Sequence, residues 1–355
     1  MFVGGEFYYD QHWNAEKPSL STDGMLFLNG GTACLVVICA YLLDHGIRKM
    51  LLPSYLCPSI VSTLEHCSMQ YGYYRVNRDL SMDVNDLAEK VSTHQAVYLI
   101  NYFGFLQPPD VRNYLLDLRQ MGVVIVEDNA QAGFNPFPTG DFIFNSMRKL
   151  VPYDGGYLIT NVDLQSTLDK FKNCPNRRLP IIREYRKKLY SYLAEGHGDY
   201  DELAALFSIA ERYYAEDFTV LGDPQEKEHI EHLDWAGIKN IRRENYSYLL
   251  SLIRDIPEIS PIFPVLQDGI MPLGLPVYFT RVSRDRVNEK LGEAGIGLTI
   301  HWDEMMADPR TNCNPMAVEM ASTMLTLTID QRTSHAQLGY LYENLKAGIA
   351  SAMKL

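Results

Sequence analysis

From Met25 to about Val162 short apolar runs alternate with longer amphipathic ones, and no other feature of the chain constrains its fold so strongly. The short runs, Lys49–Leu52, Met69–Val76, Ala96–Tyr102, Val123–Glu127 and Gly156–Thr160, read as strands. Between them Ala33–Asp44, Pro58–Cys67, Val84–Lys90 and Asp110–Met121 read as helices. Strands separated by helices pair in parallel, and a parallel sheet needs cover on both faces. The alternation therefore predicts an α/β fold, a mostly parallel sheet between helices.

Beyond Leu164 the character changes to long, charged, tyrosine-rich stretches such as REYRKKLYSYLAEG and YDELAALFSIAERYYAED, where strand signals vanish. After Ile256 short strands return at Pro276–Arg281 and Leu325–Ile329, with a helix at Arg284–Ala294 and another at the C-terminus. The chain's 355 residues exceed one typical domain of roughly 100–200. The expected organisation is a large α/β domain over residues 1–250, with 164–250 as a helical insert or connector, and a smaller α+β domain over 251–355.

Charge excludes whole classes of partner. Lys and Arg number 32 against 44 Asp and Glu, and a net charge of −12 repels a nucleic-acid backbone or an anionic membrane. Any anionic ligand must be met by a local cluster of positive groups. No apolar run approaches the ~20 residues that span a bilayer, and the opening MFVGGEFYYDQHWN lacks the pattern of a secretion signal. Cys34, Cys39, Cys57, Cys67, Cys174 and Cys313 form no CxxC pair, which suits reduced thiols and a cytoplasmic protein. His229 and His232 are the one close histidine pair, and no further ligand residue stands at metal-site spacing, so no metal is expected.

Three stretches could carry chemistry. In FLNGGTACLVVICAYLL, Asn29-Gly30-Gly31-Thr32 opens an apolar helix, and backbone N–H groups at such a start attract an anion. A tight turn capped by Thr32 is the plainer alternative. No GK[ST] follows and the GxGxxG spacing is missing, so a single phosphate fits better than a triphosphate or dinucleotide. In VVIVEDNAQAGF an apolar strand ends at Asp128, where ligands of open α/β sheets sit. Asp128 could equally cap the next turn, but a buried carboxylate needs a partner, and a protonated heteroaromatic nitrogen would serve. In FNSMRKLVPYDGG, Lys149 has Arg148 beside it to lower its pKa and Gly155-Gly156 after it to allow close backbone approach. Phosphate cradle, carboxylate and lysine in this order are the three fixings of pyridoxal phosphate.

Through NGGTACL, LLPSYLCPSI, VEDNAQAGF and SMRKLVPYDGG, and more faintly through IRRENYSYLL, RVSRDRVNEKLGEAGI and LTLTIDQR, the chain resembles the DegT/DnrJ/EryC1/StrS sugar aminotransferases, which have the fold-type-I architecture. The resemblance implies a seven-stranded-type sheet and a homodimer. It makes Lys149 the lysine that joins the cofactor's aldehyde, Asp128 the partner of the ring nitrogen, and Gln131 a neighbour of the ring face or its 3′-oxygen. Gly31, Thr32 and the Ser146 hydroxyl would hold the phosphate. A ring-stacking aromatic falls near PSYLCPS, where Tyr55 and Cys57 compete and Tyr55 is the choice for its π face. The implied reaction moves an amino group from glutamate to a nucleotide-linked keto-sugar, in making cell-surface polysaccharide or secondary metabolites.

Departures from the family pattern mark where the resemblance thins. Ser146 stands three before Lys149 where the family has a longer loop, Leu150 replaces an asparagine, and the G-x-N-x-R segment is missing. Candidate contacts for a pyrophosphate-linked sugar are Arg177-Arg178, Arg183/Arg186/Lys187/Lys188 and Arg242-Arg243, with His301 near the substrate. Three rivals stand beside this reading. They are a sugar dehydratase, which has histidine in place of the lysine; a divergent homologue with a regulatory or structural role or a non-sugar substrate; and a nucleotide-binding protein in which GGT grips phosphate.

Overall fold

Seven strands form the central sheet of the computed structural model, which describes residues 1–172 and 174–354. In chain order the strands are Val3–Gly4 (β1), Leu26–Leu28 (β2), Lys49–Pro53 (β3), Gln70–Tyr74 (β4), Ala96–Ile100 (β5), Val124–Asn129 (β6), Phe142–Asn145 (β7), Gly156–Thr160 (β8), Ile259–Pro261 (β9), Leu275–Phe279 (β10), Ile296–Gly297 (β11) and Met324–Leu327 (β12). The large sheet has the order β2-β8-β7-β6-β5-β3-β4. Strands β3 to β7 run parallel and only β8 opposes its neighbours. The register sets Ile100 beside Asp128 and Asp128 beside Phe144, which gathers the carboxyl ends of β5, β6 and β7 at one rim.

Helices Gly31–Asp44 (α1), Pro58–His66 (α2), Val84–Val91 (α3) and Pro109–Gln120 (α4) connect these strands. Every residue of β5 (AVYLI) is buried, as a strand covered on both faces requires. Helix α1 is apolar nearly all round because it packs against β2, β7, β8 and α2 together. The expected strands and helices of this half appear within a few residues of their positions. Strands β2 and β7 carried no clear signal, since runs of three and four residues are too short to show a period.

Residues 164–253 hold Gln165–Leu168 (α5), Arg178–Glu195 (α6), Tyr200–Asp217 (α7), Pro224–Glu231 (α8) and Trp235–Ile253 (α9), with no strand among the described residues. Helices α6 and α7 are joined by a short turn that leaves α6 through Gly196 at φ 70°, a left-handed value that suits glycine. Their mutual face buries Leu179, Ile182, Leu189, Leu203 and Ala210. Helices Arg284–Glu293 (α10), Glu304–Ala307 (α11), Pro315–Thr323 (α12) and His335–Ala352 (α13) complete the chain around an antiparallel sheet ordered β12-β10-β9. Strand β1 pairs in parallel with β11 and so fastens the N-terminus to this later part of the molecule.

Candidate active site

At the rim where β5, β6 and β7 end, the chain buries ionisable groups without neutralising them. Asp128, the fifth residue of β6, is 7% exposed. Its Oδ2 accepts the Tyr98 hydroxyl at 2.6 Å and its Oδ1 accepts the Ala130 backbone N–H at 2.7 Å. Burial pushes its pKa up to about 6, against the opposing pull of those two hydrogen bonds and of Lys149. Lys149 ends the short turn Met147–Lys149 that follows β7. Burial and then the charge of Arg148 push its ammonium pKa down. Acid and amine are thus both drawn toward their neutral forms in the same place.

Both line one solvent-open cavity of about 650 Å³, with Gly31, Thr32, Gln131 and Ser146 in the same wall. Helix α1 begins there, and its N-cap Gly30 offers no side-chain cap, so its first N–H groups remain for another acceptor. Thr32 lies inside the helix and does not cap it. Gly30 has φ 145°, and a Cβ on it would lie 3.3 Å from the Tyr214 hydroxyl. Gln131 spends its Oε1 on the Phe103 N–H at 2.8 Å, yet its buried Nε2 finds no acceptor. An unpaired buried amide costs about 1–3 kcal/mol, so a missing ligand atom is the natural partner. A Cβ on Gly156 would come within 2.4 Å of the Asn145 carbonyl oxygen, which explains the second glycine of the pair after Lys149.

Three expectations are corrected by placement. Tyr55 is fully buried outside the cavity: its hydroxyl donates to the His301 carbonyl and its ring packs 5.1 Å from that of Trp302. Cys57, two residues on, lines the cavity instead, because Tyr55 lies in the buried bend that follows β3 while Cys57 stands at the partly exposed start of α2. Arg177 lies on the surface, paired with Asp217. Arg242 is buried and spends its donors on Gln331 and on the carbonyls of Leu150, Pro272 and Leu273. The other arginine runs face inward as well, Arg178 and Arg186 to Asp154 and Arg183 to Glu226. They form an internal ion network, not an open anion receptor.

His301 lines a second cavity that shares Arg148 and Lys149 with the first. Its Nδ1 lies 2.9 Å from the Thr326 hydroxyl, and burial, helped by Lys149, pushes its pKa down to about 3, so it is neutral at ordinary pH. Residues that sequence reasoning missed complete the first cavity: Tyr98 beneath Asp128, Trp302 from the segment after β11, and Tyr214 from α7. Each comes from an element distant in sequence, and a lone aromatic in an apolar or tyrosine-rich run gives no signal of its own.

No family model matches the chain, and no curated protein matches it in sequence. Solved structures match over nearly its whole length. The sugar aminotransferase CalS13 from Micromonospora echinospora has a TM-score of 0.69 at 15% identity, over 98% of this chain and 100% of that one. The fold is theirs. The aminotransferase TlmJ from Streptoalloteichus hindustanus shares it at a TM-score of 0.63 and 18% identity, over 94% and 88% of the two chains. So does the GDP-4-keto-6-deoxy-D-mannose-3-dehydratase of E. coli, solved with hydrated PLP bound, at 0.63 and 16%, over 90% and 87%. The fold-type-I architecture, a large mostly parallel sheet flanked by helices, is thus the architecture of this chain.

Proposed function

We propose that this chain is a pyridoxal-phosphate-dependent aminotransferase that carries an amino group from glutamate to the keto carbon of a nucleotide-linked sugar. One observation carries the reading: Lys149 and Asp128 face a single cavity, and burial holds each away from its ordinary ionisation. The fold shared with sugar aminotransferases supports it.

The residues fit the cofactor. The open start of α1 at Gly31 and Thr32, with the Ser146 hydroxyl, would hold a phosphate, and the free Nε2 of Gln131 would donate to the ring oxygen. Bound there, pyridoxal phosphate would supply an electron sink for charge developing on the amino-bearing carbon. Asp128 would face the ring nitrogen and keep its proton in place, since a cation against a carboxylate of pKa about 6 favours the ionised form. Lys149, whose unprotonated amine is favoured by burial and by Arg148, would join the aldehyde and afterwards carry protons on Nζ. A dehydratase also shares the fold, but Lys149 stands where the dehydratases that the sequence resembles have histidine, which favours amino transfer. We read the enzyme as a cytoplasmic homodimer; no helix among the described residues is long and apolar enough to cross a membrane.

Purified protein mixed with pyridoxal phosphate is expected to show a visible absorbance band that borohydride bleaches, and Lys149→Ala is expected to lack it. Glutamate should then bleach the wild-type band, and one of a panel of nucleotide-linked keto-sugars should restore it. A wild-type protein that stays colourless with excess cofactor sinks the reading.

A further inference from the structure

We propose that Arg148 docks the carboxylate of the substrate that enters the second cavity, beside the lysine that would act on it. The inference rests on the cofactor site read above and adds to it the residue that recognises an acid.

Arg148 lines both cavities, as Lys149 does. Its side chain is 22% exposed where it lines the cavities, so a ligand can reach it, yet its Nε is buried with no acceptor. One face is occupied, with the guanidinium carbon 4.3 Å from the centre of the Tyr214 ring. A stacked guanidinium keeps its N–H edge free, and that edge matches the two oxygens of a carboxylate. Its sole ionic partner among the described residues, Glu211, stands at 3.7 Å and already accepts from Arg178 at 2.6 Å. The pairing is loose enough for an incoming oxyanion to compete.

No other open guanidinium faces the second cavity among the described residues. Arg242 lines it too, but its donors are taken by one side-chain amide oxygen and three carbonyls. Two acids line it as well. Asp330 is neutralised by Arg332 at 2.8 Å, and Glu6 is exposed, so water screens its repulsion of an anion. An acid entering here therefore meets one unspent cation besides the reacting lysine. In an α-amino acid the carbon that must give up its proton is bonded to the carboxylate, so a dock adjoining Lys149 holds that carbon next to the amine.

The test titrates glutarate, an unreactive dicarboxylate, into the protein with and without pyridoxal phosphate, using calorimetry and any shift of the visible band. Glutaramide is the uncharged control. Wild-type protein is expected to bind glutarate and to ignore glutaramide. Arg148→Gln should weaken glutarate by about tenfold or more, the size of one lost charge-assisted hydrogen bond. Glu211→Gln should act in the opposite direction and tighten it, because the competitor for the guanidinium is gone; this holds the idea to account even if Arg148→Gln folds poorly. Glutarate affinity in Arg148→Gln within about twofold of wild type, less than the loss of any net hydrogen bond, overturns the proposal. So does a Glu211→Gln protein that binds glutarate more weakly. Loss of pyridoxal phosphate but not of pyridoxal in Arg148→Gln, with glutarate binding intact, overturns it too and assigns the arginine to the cofactor phosphate. A wild-type protein that never colours fails the cofactor reading alone, since the cofactor-free titration still decides the role of Arg148.

Discussion

Two clusters of buried charge lie side by side in this molecule, and they are built on opposite principles. Around Asp154, two guanidiniums meet one carboxylate: Arg178 Nε on Oδ2 and Arg186 Nη2 on Oδ1, both at 2.7 Å. Around Asp128 and Lys149 the charges are left short of partners, and the amide of Gln131 has a free N–H. Burial pushes Asp154 up as it does Asp128, but the two arginines outweigh it and hold Asp154 well below the usual carboxylate range. Asp128 has a hydroxyl and one backbone N–H in their place, and burial wins. Arg148, Glu211 and Arg178 connect the two clusters. Around Asp154 each charge meets an opposite one, though one buried N–H of Arg186 finds no acceptor, and this pairing fastens α6 and α7 to the turn after Lys149. Where acid and amine lack such partners a ligand is wanted.

The contrast breaks first at Asp154. Asp154→Ala leaves two guanidiniums facing each other in a dry site, and removing one partner from a buried ion group costs about 3–5 kcal/mol. Denaturant unfolding should show that loss. Its pH dependence has a fixed sign: a carboxylate with a lowered folded pKa contributes stability above its unfolded value of 3.8, and that stability disappears as pH falls below it. Wild type and variant should therefore converge in acid.

Asp128 should behave in reverse. Its folded pKa, raised from 3.8 to about 6, means the cofactor-free protein is favoured below 3.8 and loses that advantage as pH rises through about 6. At 1.36 kcal/mol per unit the carboxylate costs the fold roughly 3 kcal/mol above that pH. Asp128→Asn should accordingly unfold at a higher temperature than wild type near neutrality and lose the difference in acid, while amino transfer falls by roughly 10²-fold. A variant that is less stable than wild type near neutrality would show Asp128 to be a satisfied structural acid like Asp154.

This difference also decides what the sequence could reveal. Asp128 sits at the end of an apolar strand, so local pattern alone marks it as lying at a strand end. Ser146 and Lys149 follow β7, a strand too short to show a period, and only the motif around the lysine pointed to them. Most of the parallel sheet was legible for the same reason as Asp128, since strands of five or more residues and their helices announce themselves locally, whereas β2 and β7 did not. Arg177, Arg178, Arg183 and Arg186 gave no such clue. A run of arginines on a helix looks like a solvated face, and only packing against Asp154, Asp217 and Glu226 shows where the charges go. Trp302 and Tyr214 reach the cavity across long stretches of chain, which periodicity cannot express.

The smallest effects fall at Tyr55 and Cys57, where the side chain that faces the cavity is not the one the resemblance favoured. Tyr55 braces the wall of the cavity without facing it: its hydroxyl bonds the His301 carbonyl, and its ring supports Trp302 and Tyr102. Tyr55→Phe keeps the ring and deletes one buried donor, so stability should fall by about 1–2 kcal/mol while the cofactor band keeps its position. Cys57 faces the cavity at the edge of the core, and its hydrogen-bond partner among the described residues is Ser59 at 3.0 Å. Cys57→Ala removes one partly exposed sulfur and should cost less than about 1 kcal/mol, yet alter cofactor affinity or the band itself. Thermal unfolding and absorbance on the same two proteins give four readings, and the placement requires the two variants to move opposite pairs. If Tyr55→Phe shifted the band and left the unfolding temperature alone, Tyr55 would have to face the cofactor after all, and the wall drawn from Trp302 and Cys57 would be wrong.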